Sequence, residues 1–174
     1  MIEDYRQRIQ KYSLDGTPIF TTDQDSDREK AVSRILQEKW QCELQHLGIY
    51  SLIDYWACRN GQPVGWVELK CRDYGEREIY TTELLNVRKW AVLAQLHFFS
   101  PWPALFVSAS IRSGNAIIRY ISIADIDSGP KRWKVISPKG GNVKSRNDTE
   151  PCILIPHADM KLLYDGEFIG GANQ

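Results

Sequence analysis

The spacing of apolar positions changes several times along the chain, and each change marks an element. Val32, Leu36 and Trp40 follow Glu29 on one helical face, with Ala31 and Ile35 beside them. This predicts an amphipathic helix over residues 27–40. Ser26 or Asp27 would cap it, and Glu29, three residues after Ser26, suits a capping box. Two strand-like runs follow, Gly48–Cys58 and Pro63–Arg72, separated by Arg59-Asn60-Gly61-Gln62. Asn-Gly between apolar runs is a strong hairpin signal. Both faces of this hairpin are largely apolar, which predicts a sheet covered on both sides, as in α/β packing.

Residues 73–80 are charged and predict a loop. Asn86 suits the N-cap of a second helix through Val87, Trp90, Ala91, Leu93, Ala94 and His97 to about Phe99, ended by Pro101-Trp102-Pro103. Ala104–Ile111 and Ala116–Ile123 form a second predicted hairpin about Ser113-Gly114-Asn115. From residue 127 the chain is rich in Gly, Pro, Lys and Arg, with short strand candidates at Trp133–Ile136 and Cys152–Ile155. Near the start, Asp15-Gly16 and Thr17-Pro18 are turn signals, and a short helix is expected over residues 3–12. The implied organisation is an N-terminal helix and loop (1–25), a core (26–126), and a basic loop with C-terminal strands packed on the same domain (127–174).

Composition narrows the function. The 174 residues carry 22 Lys plus Arg and 22 Asp plus Glu, so binding of nucleic acid through bulk positive charge is excluded. No apolar run approaches the roughly 18 residues of a membrane span. The start, Met1 to Arg6, lacks the apolar stretch of a secretory signal. Cys42, Cys58, Cys71 and Cys152 form no CxxC pair, and His46, His97 and His157 are scattered. The cysteines therefore read as reduced, buried hydrophobes of a cytoplasmic protein rather than as zinc ligands.

The chemistry concentrates in Glu68-Leu69-Lys70, set in an otherwise apolar strand, and in Asp54 on the neighbouring run. Charges at such positions are costly unless they are paired or bind a ligand. Glu68 and Lys70 share a strand face. A plain two-residue turn at Asn60-Gly61 would set Asp54 opposite Val67, on the other face. A three-residue turn, or an equivalent bulge, sets it opposite Glu68, and that register is expected. Two carboxylates side by side repel unless a cation lies between them. Oxygen ligands favour Mg²⁺ or Mn²⁺, and Lys70 would then orient or deprotonate a water, or stabilise charge on a phosphate. A purely structural ion network in an unrelated α/β domain is the competing reading.

A helix with an acidic residue, then Ile53-Asp54-Tyr55, then Val67-Glu68-Leu69-Lys70-Cys71, then a second helix resembles the PD-(D/E)XK nuclease superfamily. This superfamily includes restriction endonucleases, recombination exonucleases and Holliday-junction resolvases. The resemblance covers residues 27–111 and is closest to small phage-type or uncharacterised members. Ile53 stands where the motif's name has Pro. The resemblance implies a restriction-endonuclease-like α/β core, a central mixed sheet flanked by helices in the order αβββαβ. It implies a Mg²⁺-dependent deoxyribonuclease, with endonucleolytic cutting the expected mode. Asp54, Glu68 and the Leu69 carbonyl would hold the metal, Lys70 would act on the water, and Glu29 would point an acidic group at the site. Glu38 and Glu43 are rivals of Glu29, and a solvated surface position is the alternative for all three. Lys89, in the first turn of the second helix, would approach the scissile phosphate.

For DNA, Lys131, Arg132, Lys134, Lys139, Lys144 and Arg146 form a basic stretch without an acidic residue, and Arg72 and Arg77 follow the ExK strand. These are candidate phosphate contacts. A homodimer would bring two sites to a duplex. A nucleic-acid-binding or assembly protein that keeps the fold without turnover is the alternative function.

Overall fold

A computed structural model describes residues 11–12, 18–19, 23–48, 51–128, 135–136 and 151–169. Strands β1 (Lys11–Tyr12) and β2 (Pro18–Ile19) form a small antiparallel pair. They are followed by α1 (Asp23–Trp40), β3 (Glu43–His46), β4 (Tyr55–Arg59), β5 (Gln62–Asp73) and β6 (Thr82–Asn86). Then come α2 (Val87–Phe99), β7 (Ala104–Arg112), β8 (Asn115–Ser122), α3 (Ile123–Ser128), β9 (Val135–Ile136), β10 (Cys152–Pro156) and β11 (Lys161–Glu167).

The central sheet has six strands in the order β11-β8-β7-β5-β4-β3. Only β5 and β7 run parallel. A parallel pair needs a crossover connection, and α2 supplies it. Alternation along the strands separates two cores. Val67, Leu69, Val107, Ala109 and Ile118 pack with Val32 and Leu36 of α1. Ala104, Phe106 and Ile121 pack with Leu93 of α2, Ile123 and Ile126 of α3, and Leu85, Ile153 and Ile155 of a second sheet, ordered β6-β10-β9. The sheet is thus covered on both faces, in a mixed α/β arrangement containing the expected αβββαβ order.

Both turns form where Gly permits a left-handed backbone. Asn60 and Gly61 have φ of 51° and 71°, and Ser113 and Gly114 have 48° and 75°. These match the tight hairpin turns whose twist suits paired strands. Asn86 caps α2 as expected, its side chain accepting from Arg88 N at 2.7 Å.

Several sequence expectations need correction. Helix α1 begins at Asp23, so Ser26 and Asp27 lie inside it rather than at its cap. Among the described residues of the 48–58 run, strand begins at β4 (Tyr55–Arg59), and 51–54 are not strand. Gly48 takes φ +89°, and Leu47 N donates to Asp54 O, closing a loop. Ile123 belongs to α3, not to the preceding strand. The expected helix over 3–12 lies largely outside the described residues, and residues 11–12 are strand.

Candidate active site

The hairpin β4–β5 carries the decisive irregularity. Arg59 pairs with Gln62 and Cys58 with Pro63, as a two-residue turn requires. The next pairs are Ala57 with Gly65, Trp56 with Trp66 and Tyr55 with Val67, so β5 has gained one residue at a bulge. Continued one step, this register sets Asp54 beside Glu68. The turn is therefore two residues long, and the bulge achieves what a three-residue turn would have done. Strand β4 ends at Tyr55 while β5 runs on to Asp73. In place of a ladder partner, Leu69 N donates to Asp54 Oδ2 at 2.8 Å.

Glu68 projects toward α2 and is buried, with 7% of its surface exposed. Lys89, in the first turn of α2, places Nζ 2.9 Å from Glu68 Oε2 and 3.5 Å from Asp54 Oδ1. Burial, then the Asp54 charge, push the Glu68 carboxyl up to about 8, against the lowering pull of Lys89. For Lys89, burial works against the charged form. The carboxylates of Glu68 and Asp54 outweigh it and raise its pKa. The site is thus two carboxylates bridged by an ammonium, in a gap where the sheet has come apart.

Lys70 lies on the same face of β5 as Glu68 and is exposed. Glu29 behaves differently. Helix α1 covers the opposite face, where Tyr55 and Cys71 lie. After burial, the Glu29 charge is the next cause raising the pKa of both those groups, and it is not among the charges acting on Glu68. Among the described residues, no group of three or more His, Cys, Asp or Glu is gathered for a metal. The structure therefore brings together Asp54, Glu68 and Lys89, with Lys70 beside them, and Glu29 acts on Tyr55 and Cys71, as Asp54 also does. Glu38 is exposed on α1 and Glu43 exposed on β3. The cysteines are free thiols, Cys58 and Cys152 buried, Cys42 and Cys71 partly so.

Four residues beyond Glu68 on the same face, Arg72 pairs through Nε with Glu83 Oε2 at 3.4 Å. Glu83, on β6, is wholly buried, and its Oε1 lies 3.1 Å from His157 Nε2. Glu83 and His157 had no sequence signal, because a charged residue in a short polar-looking stretch gives no sign of burial. Arg77 donates from Nε to Tyr74 O and from Nη2 to Asp73 O. Lys131, Arg132, Lys134, Lys139, Lys144 and Arg146 lie outside the described residues.

No described helix is long and apolar enough to cross a membrane. A search of curated proteins finds no match to the chain. The family model described as phage putative PDDEXK endonuclease matches residues 16–161, most of the sequence. That span contains α1, the β4–β5 hairpin, α2 and the β7–β8 hairpin, with Asp54, Glu68, Lys70 and Lys89 all inside it. By this match and by its restriction-endonuclease-like fold, the chain belongs to the phage PDDEXK endonuclease family.

Proposed function

We propose that the chain is a divalent-metal-dependent endonuclease that hydrolyses DNA phosphodiester bonds with a metal-activated water. The observation that carries this reading is the Lys89 ammonium lying between the Asp54 and Glu68 carboxylates. A buried carboxylate beside a second one calls for a cation, and the donors are all hard oxygens, which suit Mg²⁺ with Mn²⁺ as substitute. Asp54 and Glu68 would hold it, with the Leu69 carbonyl, which leaves β5 on the same edge as the N–H bonded to Asp54. When bound, the metal supplies charge to a phosphate oxygen and lowers the pKa of its water. Lys70 would orient that water and stabilise charge on the phosphate, the water's proton passing to solvent. Lys89, released from the carboxylates, turns its charge to the phosphate. Arg72, Arg77 and the basic stretch over 131–146 hold neighbouring phosphates, and a homodimer sets two sites on a duplex.

The direct test is cleavage of linear, nicked, flap and four-way-junction DNA with Mg²⁺ and with Mn²⁺. Cleavage is expected with either ion and none in EDTA. Cutting that persists in EDTA would overturn the mechanism.

Lys89 offers a second check that does not depend on turnover. Its ammonium and the metal compete for the same two carboxylates. Lys89→Met should therefore tighten Mn²⁺ binding by roughly tenfold, read by calorimetry, since removing a nearby like charge favours the cation. Unchanged or weaker binding would favour the alternative in which Lys89 completes a structural ion network and the protein binds nucleic acid without cutting it.

A further inference from the structure

The loop after β5 encloses a cleft of about 470 Å³ lined by Arg72, Asp73, Tyr74, Arg77, Glu78 and Tyr80. That size falls within the range of about 300–1,000 Å³ typical of small-ligand sites. It is neither the metal centre nor remote from it. Arg72 follows Glu68 by four residues on the same strand face, about 13 Å at the usual strand rise.

The walls are prepared for a nucleotide. Arg72 Nε forms an ion pair at 3.4 Å with Oε2 of buried Glu83, whose Oε1 lies 3.1 Å from His157 Nε2, and this sets the guanidinium at the cleft wall. The Arg77 guanidinium is folded onto the loop's own carbonyls, which fixes its charge at the cleft. Asp73 pairs with Arg28 and accepts from Gly75 N, so it does not compete for the Arg77 guanidinium. Tyr80 stands at 81° to Tyr74 with centroids 5.6 Å apart, yet remains 61% exposed. Its ring is free to stack on a base. Glu78 has no ion-pair partner among the described residues and can accept from the amino group of a base edge.

We propose that this cleft receives one unpaired nucleotide of the DNA strand, its phosphate on Arg72 and Arg77 and its base against Tyr80, about two nucleotides from the bond cut at Asp54 and Glu68. Tyr80 is the exposed ring of the lining and Tyr74 beneath it is buried, so the cleft offers one stacking position for a base. The substrate is thus DNA with a single-stranded or frayed segment beside the cleavage point. This proposal rests on the nuclease reading above.

The test uses the full chain without metal and two fluorescein-labelled DNAs, a 12-nucleotide single strand and a blunt duplex. Tyr80→Ala should weaken binding of the single strand roughly tenfold, as expected for one lost base–aromatic stack, and change duplex binding less than twofold. Arg77→Gln should weaken the single strand as well and reduce the salt dependence of binding. Tyr80 is exposed, so a melting curve matching the parent is expected and checks that the variant is folded. Equal losses for both DNAs, or no loss, would overturn the subsite while leaving the nuclease reading intact. Failure of the parent chain to bind either DNA would overturn both.

Discussion

Glu68→Ala should reduce metal-dependent DNA cleavage by roughly 10³-fold or more, the scale seen when one member of a catalytic set is removed. The reason is geometric. Among the described residues, Asp54 and Glu68 are the two carboxylates that converge on Lys89 at the gap between β4 and β5, so losing Glu68 removes half of the proposed ligand set. Asp54→Ala should act alike, with the added loss of the acceptor for Leu69 N. Lys70→Ala should also abolish cutting, yet leave Mn²⁺ binding intact, because its ammonium is exposed and is not among the groups proposed to hold the metal. Stability should move the other way for Glu68. The folded protein holds that carboxyl with a pKa near 8, chiefly through burial, so its ionised form is unfavourable there. Lys89 would keep Asp54 as a partner at 3.5 Å. Glu68→Ala should therefore melt no lower than the parent, a trade of stability for activity common at functional sites. Cleavage that survives in Glu68→Ala, measured on the substrate the parent cuts fastest, would sink the proposed mechanism.

Much of this site can be read from local rules. Asn60-Gly61 identifies the hairpin, and the alternation around Glu68 and Lys70 identifies the face. Requiring Asp54 to face Glu68 calls for one extra residue, which the structure places as a bulge near Pro63, a residue unable to donate to the ladder. Asn86 marks the start of α2 and so positions Lys89. What local pattern does not carry is the relation between layers. The inward spacing of Glu29 is real, but it cannot say which face of the sheet α1 covers. Strand β3 escapes notice because it is an edge strand with mostly exposed polar residues. Strands β6 and β11 are short and polar-interrupted and are held by partners distant in sequence, β6 by β10 and β11 by β8. The burial of Glu83 follows only from that pairing, since β10 covers it and the adjacent His157 reaches it.

That buried carboxylate sets the largest expected effect on stability. Arg72→Ala should destabilise the protein by about 3 kcal/mol in urea unfolding, the cost typical of stranding one charge of a buried pair. Glu83 has no exposure to solvent, and Arg72 is the guanidinium that neutralises it, leaving only His157 once Arg72 is gone. The reverse substitution is not symmetrical. After Glu83→Leu, Arg72 keeps a side chain that is 23% exposed and can turn its charge to water, so the cost should stay below about 1 kcal/mol. The double variant Arg72→Met with Glu83→Leu should recover most of the loss, because two apolar side chains fill the space without a charge to desolvate. Equal costs for the two single variants would mean that Arg72 is not what compensates the burial of Glu83. The asymmetry also bears on function. If leucine and methionine replace the pair at little cost, its part is to keep the Arg72 guanidinium four residues from Glu68. The double variant, stable but lacking Arg72, should therefore bind the single strand more weakly than the parent while melting close to it.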